Sequence, residues 1–415
     1  MKKNIGFFIS FCIAKGMVFL APILLADILT ERDFGVLEYA LAGVGMLINA
    51  FISLGVSGAY PYYILKQKNF EIKPGFALHP IWLLLFFLVN QILFYAFSLY
   101  TIEIYMAVNI SYIIANQQFF STKFKSHENI FKAVFLDAGI YILLMIFIIL
   151  YLLKLMPLNV DNINKGIFIY ALFFGAYGVY DLIKTKKERI FTYYKKILKF
   201  SFHLLISSSF LFLLSVSGRI LTKHFFDYET TGVYGFYFRL AAIVVMIYQV
   251  ISIRFFKDIY TVVPEKLDKY FSTFYLFIFS LSVVIYIITP YIVPHFSVFF
   301  SETYIENKTV FFIIFCQMTM WIATALNSNI VDREGLAKKN NFYYLALLII
   351  SIIILYLMRD QMTLLRLTFI LYSIFFLANL SQFLVLYLKK IIFKKSMISL
   401  IIIYIISCIT LYFIA

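Results

Sequence analysis

A chain of 415 residues would make about three soluble domains at roughly 150 residues each. Its 63% hydrophobic and 14% charged residues exclude that organisation, because globular domains run near about 45–50% and about 25%. The net charge of +15 falls mostly between apolar runs, so it reads as membrane topology and not as nucleic-acid binding.

Apolar runs of about 20 residues, each long enough to cross a bilayer core, recur along the whole length. The predicted spans are 4–28, 35–58, 79–99, 101–121, 131–153, 164–183, 201–222, 231–252, 270–292, 309–330, 341–358, 364–388 and 397–414. Each reads as a helix, which satisfies its own backbone in lipid, and none alternates as a barrel strand does. The predicted fold is therefore all-α, a polytopic membrane helix bundle. No loop has room for a soluble catalytic domain, an ATPase module or a phosphate-binding loop. The first segment is too long for a signal-peptide core and lacks a cleavage site, so a retained helix is expected. Cys12, Cys316 and Cys408 lie inside spans, where a free thiol acts as a small hydrophobe. The five histidines show no metal spacing, and no cofactor is expected.

Alternate loops differ sharply in charge. With the N-terminus and every second loop assigned to the cytoplasm, that side holds 26 Lys and Arg and the other side 7. Three more, Lys15, Arg219 and Arg239, lie within spans. The bias places the N-terminus in the cytoplasm. The basic stretch from Lys184 to Lys199 divides the spans, giving an N-terminal six-helix lobe (1–183), a basic cytoplasmic linker (184–200), a C-terminal six-helix lobe (201–388) and a basic loop with an extra C-terminal segment (389–415). The linker is read as a topology lock that touches anionic lipid, with docking of a cytoplasmic partner as the alternative.

The two lobes open alike. Ile28-Leu29-Thr30 and Gly35-Val36-Leu37-Glu38-Tyr39 in the first correspond to Ile220-Leu221-Thr222 and Gly232-Val233-Tyr234-Gly235-Phe236 in the second. The offsets are 192 (220 − 28) and 197 (232 − 35). An even number of spans per copy gives both copies one orientation, a parallel repeat of the kind that holds substrate between two halves. In this register Arg219 corresponds to Asp27 and Arg239 to Ala42, so the copies carry different charges.

Several short motifs have a familiar form: Ala14-Lys15-Gly16, Pro22, the run Leu29-Thr30-Glu31-Arg32-Asp33-Phe34-Gly35 and Ser53-Leu54-Gly55-Val56-Ser57-Gly58-Ala59. So do Ser217-Gly218-Arg219, Gly232-Val233-Tyr234-Gly235, and Asn327-Ser328-Asn329 leading to Gly335-Leu336-Ala337-Lys338-Lys339. Together they resemble the polysaccharide transporter family, the Wzx-type O-antigen flippases. The resemblance implies a bacterial inner-membrane protein of two six-helix lobes. Such a protein carries undecaprenyl-pyrophosphate-linked oligosaccharide, an O-antigen or capsule repeat unit, to the outer leaflet by alternating access. Membrane lipid and other polysaccharide assembly proteins are the further partners it implies. The thirteenth segment departs from the family's usual twelve or fourteen spans.

A lipid-linked sugar of that kind needs a wet cavity with cations for its phosphates. An ionisable side chain at mid-span costs about 2.5–3.5 kcal/mol on insertion scales, so it faces protein or water. Lys15 near the middle of the first span and Arg239 two turns into the eighth are the candidate pyrophosphate contacts, Arg because its fork grips phosphate. Arg219, nearer the outer surface, is a third, with an interfacial anchor as the alternative. Asn49, Asn90, Asn109 and Gln317 are candidate cavity groups, with interhelical hydrogen bonding as the competing role. Asp137, Asp27 and Glu38 are the candidates for ion coupling, since burial can hold a carboxyl near neutral pKa; pairing with a base is the alternative for Asp137, and caps or interface positions for the last two. Glycines at Gly43, Gly45, Gly55 and Gly58 favour close helix packing.

Two other functions share this composition. An O-antigen polymerase or a lipid-dependent glycosyltransferase would want a sizeable outer loop with paired acids, and the loop around Pro294 to Lys308 is short. A small-molecule antiporter would want acids, not bases, at cavity depth, against Lys15 and Arg239. A non-enzymatic flippase is the favoured reading.

Overall fold

A computed structural model describes residues 2–127, 129–185, 188–246, 248 and 262–414, and every regular element among them is helical. In chain order these are α1 (Lys2–Ile28), α2 (Glu31–Glu38), a π turn (Tyr39–Gly43), α3 (Val44–Ile52), α4 (Val56–Pro61), α5 (Lys73–Phe76), α6 (His79–Tyr95), α7 (Ile102–Ser126), α8 (Ile130–Asp137) and α9 (Gly139–Leu152). There follow α10 (Val160–Ile183), α11 (Ile190–Phe225), α12 (Tyr228–Ala241), α13 (Pro264–Ile292), α14 (Val298–Arg333), α15 (Ala337–Leu357), α16 (Leu364–Tyr387) and α17 (Lys394–Ile414). The end of the expected eighth span (249–252), and Lys186, Lys187, Arg254 and Lys257 of the basic loops, lie outside the described residues.

Among the described residues, nine helical stretches are long and apolar enough to cross a membrane. A tenth results if Phe131–Asp137 and Gly139–Leu152, bent by 64° at their junction, form one span. The C-terminal stretch Lys394–Ile414 is among the nine. Three expected spans are not in the set: 101–121, 201–222 and 231–252. The first is nevertheless a continuous 25-residue helix, α7. Its polar side chains set it apart: Asn109, Ser111, Asn116, Gln117 and Ser121 are all buried. The other two fall on α11 and α12.

By contacts the chain forms two compact units, Met1–Lys223 with Asp227–Gly232, and His224–Phe226 with Val233–Ala415. In unit 1, α7 packs against α3, α4, α6, α8 and α10. A helix that carries amides and hydroxyls has to find protein partners in lipid, so it takes the centre and more apolar helices surround it. Helix α1 lies on α8 and α9, with Ala14 against Val134 and Ala138. Helix α11 begins inside the basic stretch and docks on the same unit. A Cβ on Gly75 would stand 2.8 Å from the Cβ of Tyr193, and Tyr62 stacks on Phe200 at 4.2 Å between ring centroids.

Unit 2 is built in the same manner around α14, which packs against α13, α15, α16 and α17. Its polar groups join neighbouring helices. Tyr275 Oη donates to Asn327 Oδ1 (2.9 Å), Asn327 Nδ2 to Asn379 Oδ1 (3.0 Å), Asn379 Nδ2 to Thr324 Oγ1 (3.0 Å), and Gln382 Nε2 to Tyr344 Oη (2.7 Å). The C-terminal helix is fixed from outside. Asp268 of α13 is buried and accepts hydrogen bonds from the backbone N–H groups of Lys395 (2.9 Å) and Ser396 (2.7 Å), the orphan donors of the first turn of α17. A carboxylate there also meets the positive end of the helix dipole.

The repeat register extends to the caps. Thr30 Oγ1 accepts from Asp33 N (3.1 Å) at the start of α2, and Asp227 Oδ1 accepts from Thr230 N (2.7 Å) at the start of α12. These two caps are 197 residues apart (227 − 30), the offset that relates Gly35 to Gly232.

Candidate functional site

The second span is broken, and the break sets its geometry. Thr30 caps α2, Glu31 and Asp33 stand favourably in its first turn, and the helix then widens into the π turn at Tyr39. Such wide turns occur often at functional sites. The glycines around it permit close approach. A Cβ on Gly45 would sit 1.8 Å from the Ala40 carbonyl oxygen, and Ser111 Oγ of α7 donates to the Gly45 carbonyl at 2.7 Å. A Cβ on Gly43 would lie 3.3 Å from that of Arg219. Further along, Gly55 at φ +66° and Leu54 at φ +49° turn the chain between α3 and α4, a left-handed conformation that glycine adopts without cost.

Glu38, the residue before the π turn, meets Arg219 of α11. Arg219 Nε donates to Glu38 Oε2 at 2.9 Å, and the two side chains are only 5% and 0% exposed. Two of the candidate residues are thus one buried ion pair. Arg219 lies inside the protein and not at an interface where it would snorkel. Holding two charges away from water demands this kind of hydrogen-bonded pairing.

Lys15 and Asp137 also come together. Ala14 packs on Ala138 at the α8–α9 break, which brings Lys15 within electrostatic reach of Asp137 and Lys125. Asp137 Oδ2 accepts from Lys125 Nζ at 2.6 Å, with the side chains 37% and 51% exposed. The Lys15 ammonium also lies 5.8 Å from the centre of the Phe11 ring. The break itself is held tightly. A Cβ on Gly139 would stand 2.3 Å from Tyr170 Oη and 2.6 Å from Gln117 Nε2.

The polar candidates divide. Asn90 and Asn109 belong to a network between α6 and α7. Asn90 Nδ2 donates to Asn109 Oδ1 (2.9 Å), Gln91 Nε2 donates to the same oxygen (3.0 Å), Tyr105 Oη donates to Gln91 Oε1 (2.5 Å), and Tyr100 Oη bonds Asn90 Oδ1. Asn49 is buried and donates to Gln118 Oε1 at 3.4 Å. In unit 2, Gln317 of α14 is buried with its Oε1 unsatisfied by any described group, and Arg239 of α12 is buried. Asp27 is exposed.

Sequence reasoning did not anticipate Lys125 as the partner of Asp137, the amide network around Asn327, Asn379 and Gln382, or the Asp268 cap. Lys125 counted only toward loop charge, and the Asn327-Ser328-Asn329 run was noted only as a motif. Asp181 is gripped by Lys123 Nζ at 2.6 and 2.7 Å.

An all-α chain of apolar helices, some of them broken, with the Arg219–Glu38 ion pair buried among them is a multi-pass membrane protein. A family model described as polysaccharide biosynthesis protein matches residues 1–255. The chain belongs to this family, which supports the likeness to Wzx-type polysaccharide transporters that its motifs carry; the members are transporters rather than enzymes. No curated protein and no solved structure gives a significant match.

Proposed function

We propose that this chain is a flippase for a lipid-linked oligosaccharide. Its substrate in this reading is an undecaprenyl-pyrophosphate-linked repeat unit of O-antigen or capsule, and its setting is the bacterial inner membrane with the N-terminus in the cytoplasm. It works by alternating access and makes or breaks no covalent bond. The observation that carries the reading is the buried Arg219–Glu38 pair beside the π turn, in a chain of a transporter family. A guanidinium already held inside the protein is ready to exchange a carboxylate for a phosphate, which it grips with two parallel hydrogen bonds.

In this mechanism Lys15, Arg239 and Arg219 handle the pyrophosphate, and Asn49, Asn90, Asn109 and Gln317 offer hydrogen bonds to sugar. Glu38, Asp137 and Asp27 take part in ion coupling. Contact with other polysaccharide assembly proteins follows from the pathway.

The test is complementation of a strain lacking its own flippase, with Lys15→Ala and Arg239→Ala made singly and membrane levels matched. The expected result is loss of surface polysaccharide and accumulation of lipid-linked repeat units in the cytoplasmic leaflet. Full surface polysaccharide in both variants overturns the assignment of these cations. Rescue of a polymerase mutant, with no rescue of the flippase mutant, overturns the transport reading itself.

A further inference from the structure

Two hollows lie at the end of unit 1 where α7 and α10 finish. The first, of about 290 Å³, is lined by Lys73, Lys123 and Lys184 together with Tyr60 and Thr185. The second, of about 390 Å³, is lined by Phe124, Phe131, Phe135, Phe173 and Tyr177, with Lys132 among them. Lys184, the C-cap of α10, follows Tyr177 by seven residues, hence on the same face and about 10 Å further along the axis. Lys123 and Phe124 are neighbours on α7. The Phe120 ring bridges the two hollows, 5.9 Å from Lys123 Nζ and edge-on to Tyr177 at 4.6 Å.

Their chemistries are opposite. Lys123 is paired with Asp181, the one carboxylate within ion-pair distance of Lys73, Lys123, Lys132 or Lys184 among the described residues. Lys184 lies over the Tyr180 ring at 4.4 Å and Lys132 over Phe124 at 5.7 Å. Lys73 Nζ stands 3.0 Å from His127 Nε2. Burial and then the neighbouring Lys73 hold the His127 imidazole below its ordinary pKa, so it serves Lys73 as an acceptor. The first hollow therefore keeps a surplus of positive charge. The second is walled by aromatic rings of which Phe131, Phe135 and Phe173 are 49%, 37% and 57% exposed. Helix α10 is among the stretches long and apolar enough to cross a membrane, and α8 with α9 passes the same test as a bent pair, so these exposed rings face the hydrocarbon side.

An apolar groove open to hydrocarbon, continuous along a helix face with a cationic hollow, is complementary to a lipid with a negative head. Basic pockets between transmembrane helices take anionic head groups in this way. We propose that this end of unit 1 binds one anionic phospholipid, its phosphate on Lys73 and Lys184 and one acyl chain along the Phe131–Phe135–Phe173 wall. A zwitterionic head group would set its own ammonium against the lysines and is selected against.

The experiment is native mass spectrometry of the purified full-length protein titrated with phosphatidylglycerol or phosphatidylcholine. One phosphatidylglycerol should be retained where phosphatidylcholine is not. Lys73→Ala with Lys184→Ala should weaken retention about thirtyfold, at about fivefold per surface lysine, and the paired Lys→Arg variant should restore it. Glycerol phosphate without acyl chains should not displace the lipid. Equal retention of both phospholipids, undiminished retention in the double alanine variant, or displacement by glycerol phosphate at matching concentration each overturns the proposal. So does tighter retention of a polyprenyl phosphate, which makes the site one for the carrier lipid. If the double variant does not reach the membrane, Lys184→Glu alone decides. Lys184 is exposed, its reversal should abolish selective retention, and unchanged retention overturns the site.

Discussion

Gly35 and Gly232, which the sequence register sets as counterparts, face each other. A Cβ on Gly35 would lie 3.2 Å from the backbone nitrogen of Gly232, and one on Gly232 would lie 3.3 Å from that of Gly35. The first turn of α12 therefore crosses α2 backbone to backbone, and the Tyr39 and Tyr228 rings close the contact edge to face at 5.8 Å.

The crossing leaves no space for a methyl group at Gly35. Its Cβ would stand 1.6 Å from the carbonyl oxygen of Tyr228, a backbone atom that no rotamer change moves aside. Gly35→Ala is expected to cost at least the about 1–3 kcal/mol of an overpacked core and to lower the thermal midpoint in detergent. Gly16→Ala is the control, since nothing lies within 4 Å of a Cβ there. Equal midpoints for the two variants would mean that the helices do not cross this closely.

The Glu38–Arg219 pair separates stability from function. Removing one partner breaks a buried, hydrogen-bonded charge pair, so Glu38→Ala or Arg219→Ala alone should destabilise the protein by about 3–5 kcal/mol and reduce its membrane level. Replacing both together, as Glu38→Leu with Arg219→Met, takes both charges out of the interior and should restore the level to near that of the wild type. If the pair also handles phosphate, the double variant is abundant and does not export polysaccharide. Western blot and surface-polysaccharide assay on the three strains read both quantities. An abundant and fully active double variant would reduce the pair to a structural brace.

Much of this arrangement was legible in the sequence, and the limits have physical causes. Lys15, Arg219 and Arg239 stand out because a cation in an apolar run is costly and so conspicuous. Their partners do not stand out. Glu38 and Arg219 are 181 residues apart, and no periodicity links them. The repeat register instead set Arg219 against Asp27, which is exposed. The same register aligned Gly35 with Gly232, but an alignment of two glycines carries no signal that the two meet. Helix α7 shows a further limit. Its amides weaken the apolar signal, yet they are what places it at the centre of unit 1. The α8–α9 bend was invisible because the stretch Asp137-Ala138-Gly139 holds no proline that would mark a break.

Asp268 gives a test of how the C-terminal helix is held. It caps α17 from a different helix, 127 and 128 residues away in sequence, and Ser272 and Ser399 meet one turn further in at 2.7 Å. Asp268→Ala should cost about 1–2 kcal/mol through lost cap and dipole interactions and loosen α17. Cys408, partly buried on α17, reports the change. In a Cys12→Ala background its maleimide labelling should quicken in Asp268→Ala and remain slow in Asp268→Asn, which keeps one acceptor. An unchanged rate in Asp268→Ala would show that packing against α13 alone holds the segment.

The charges at the α8–α9 break should behave in the opposite way to the buried pair. Lys125 and Asp137 are 51% and 37% exposed, and a pair so open to solvent contributes about 0–1 kcal/mol. Asp137→Asn should therefore reach the membrane at the wild-type level, unlike Glu38→Ala. Its effect should fall on activity. Neutralising Asp137 removes the acid that pairs with Lys125 and acts on Lys15 at the 64° bend, and the two cations left there repel. A loss of surface polysaccharide at constant protein level is the expected outcome. Lys125→Met in the Asp137→Asn background should recover part of the export, because it removes the repulsion while keeping Lys15. Wild-type export in Asp137→Asn would take the break out of the transport cycle and leave Lys15 to act without it.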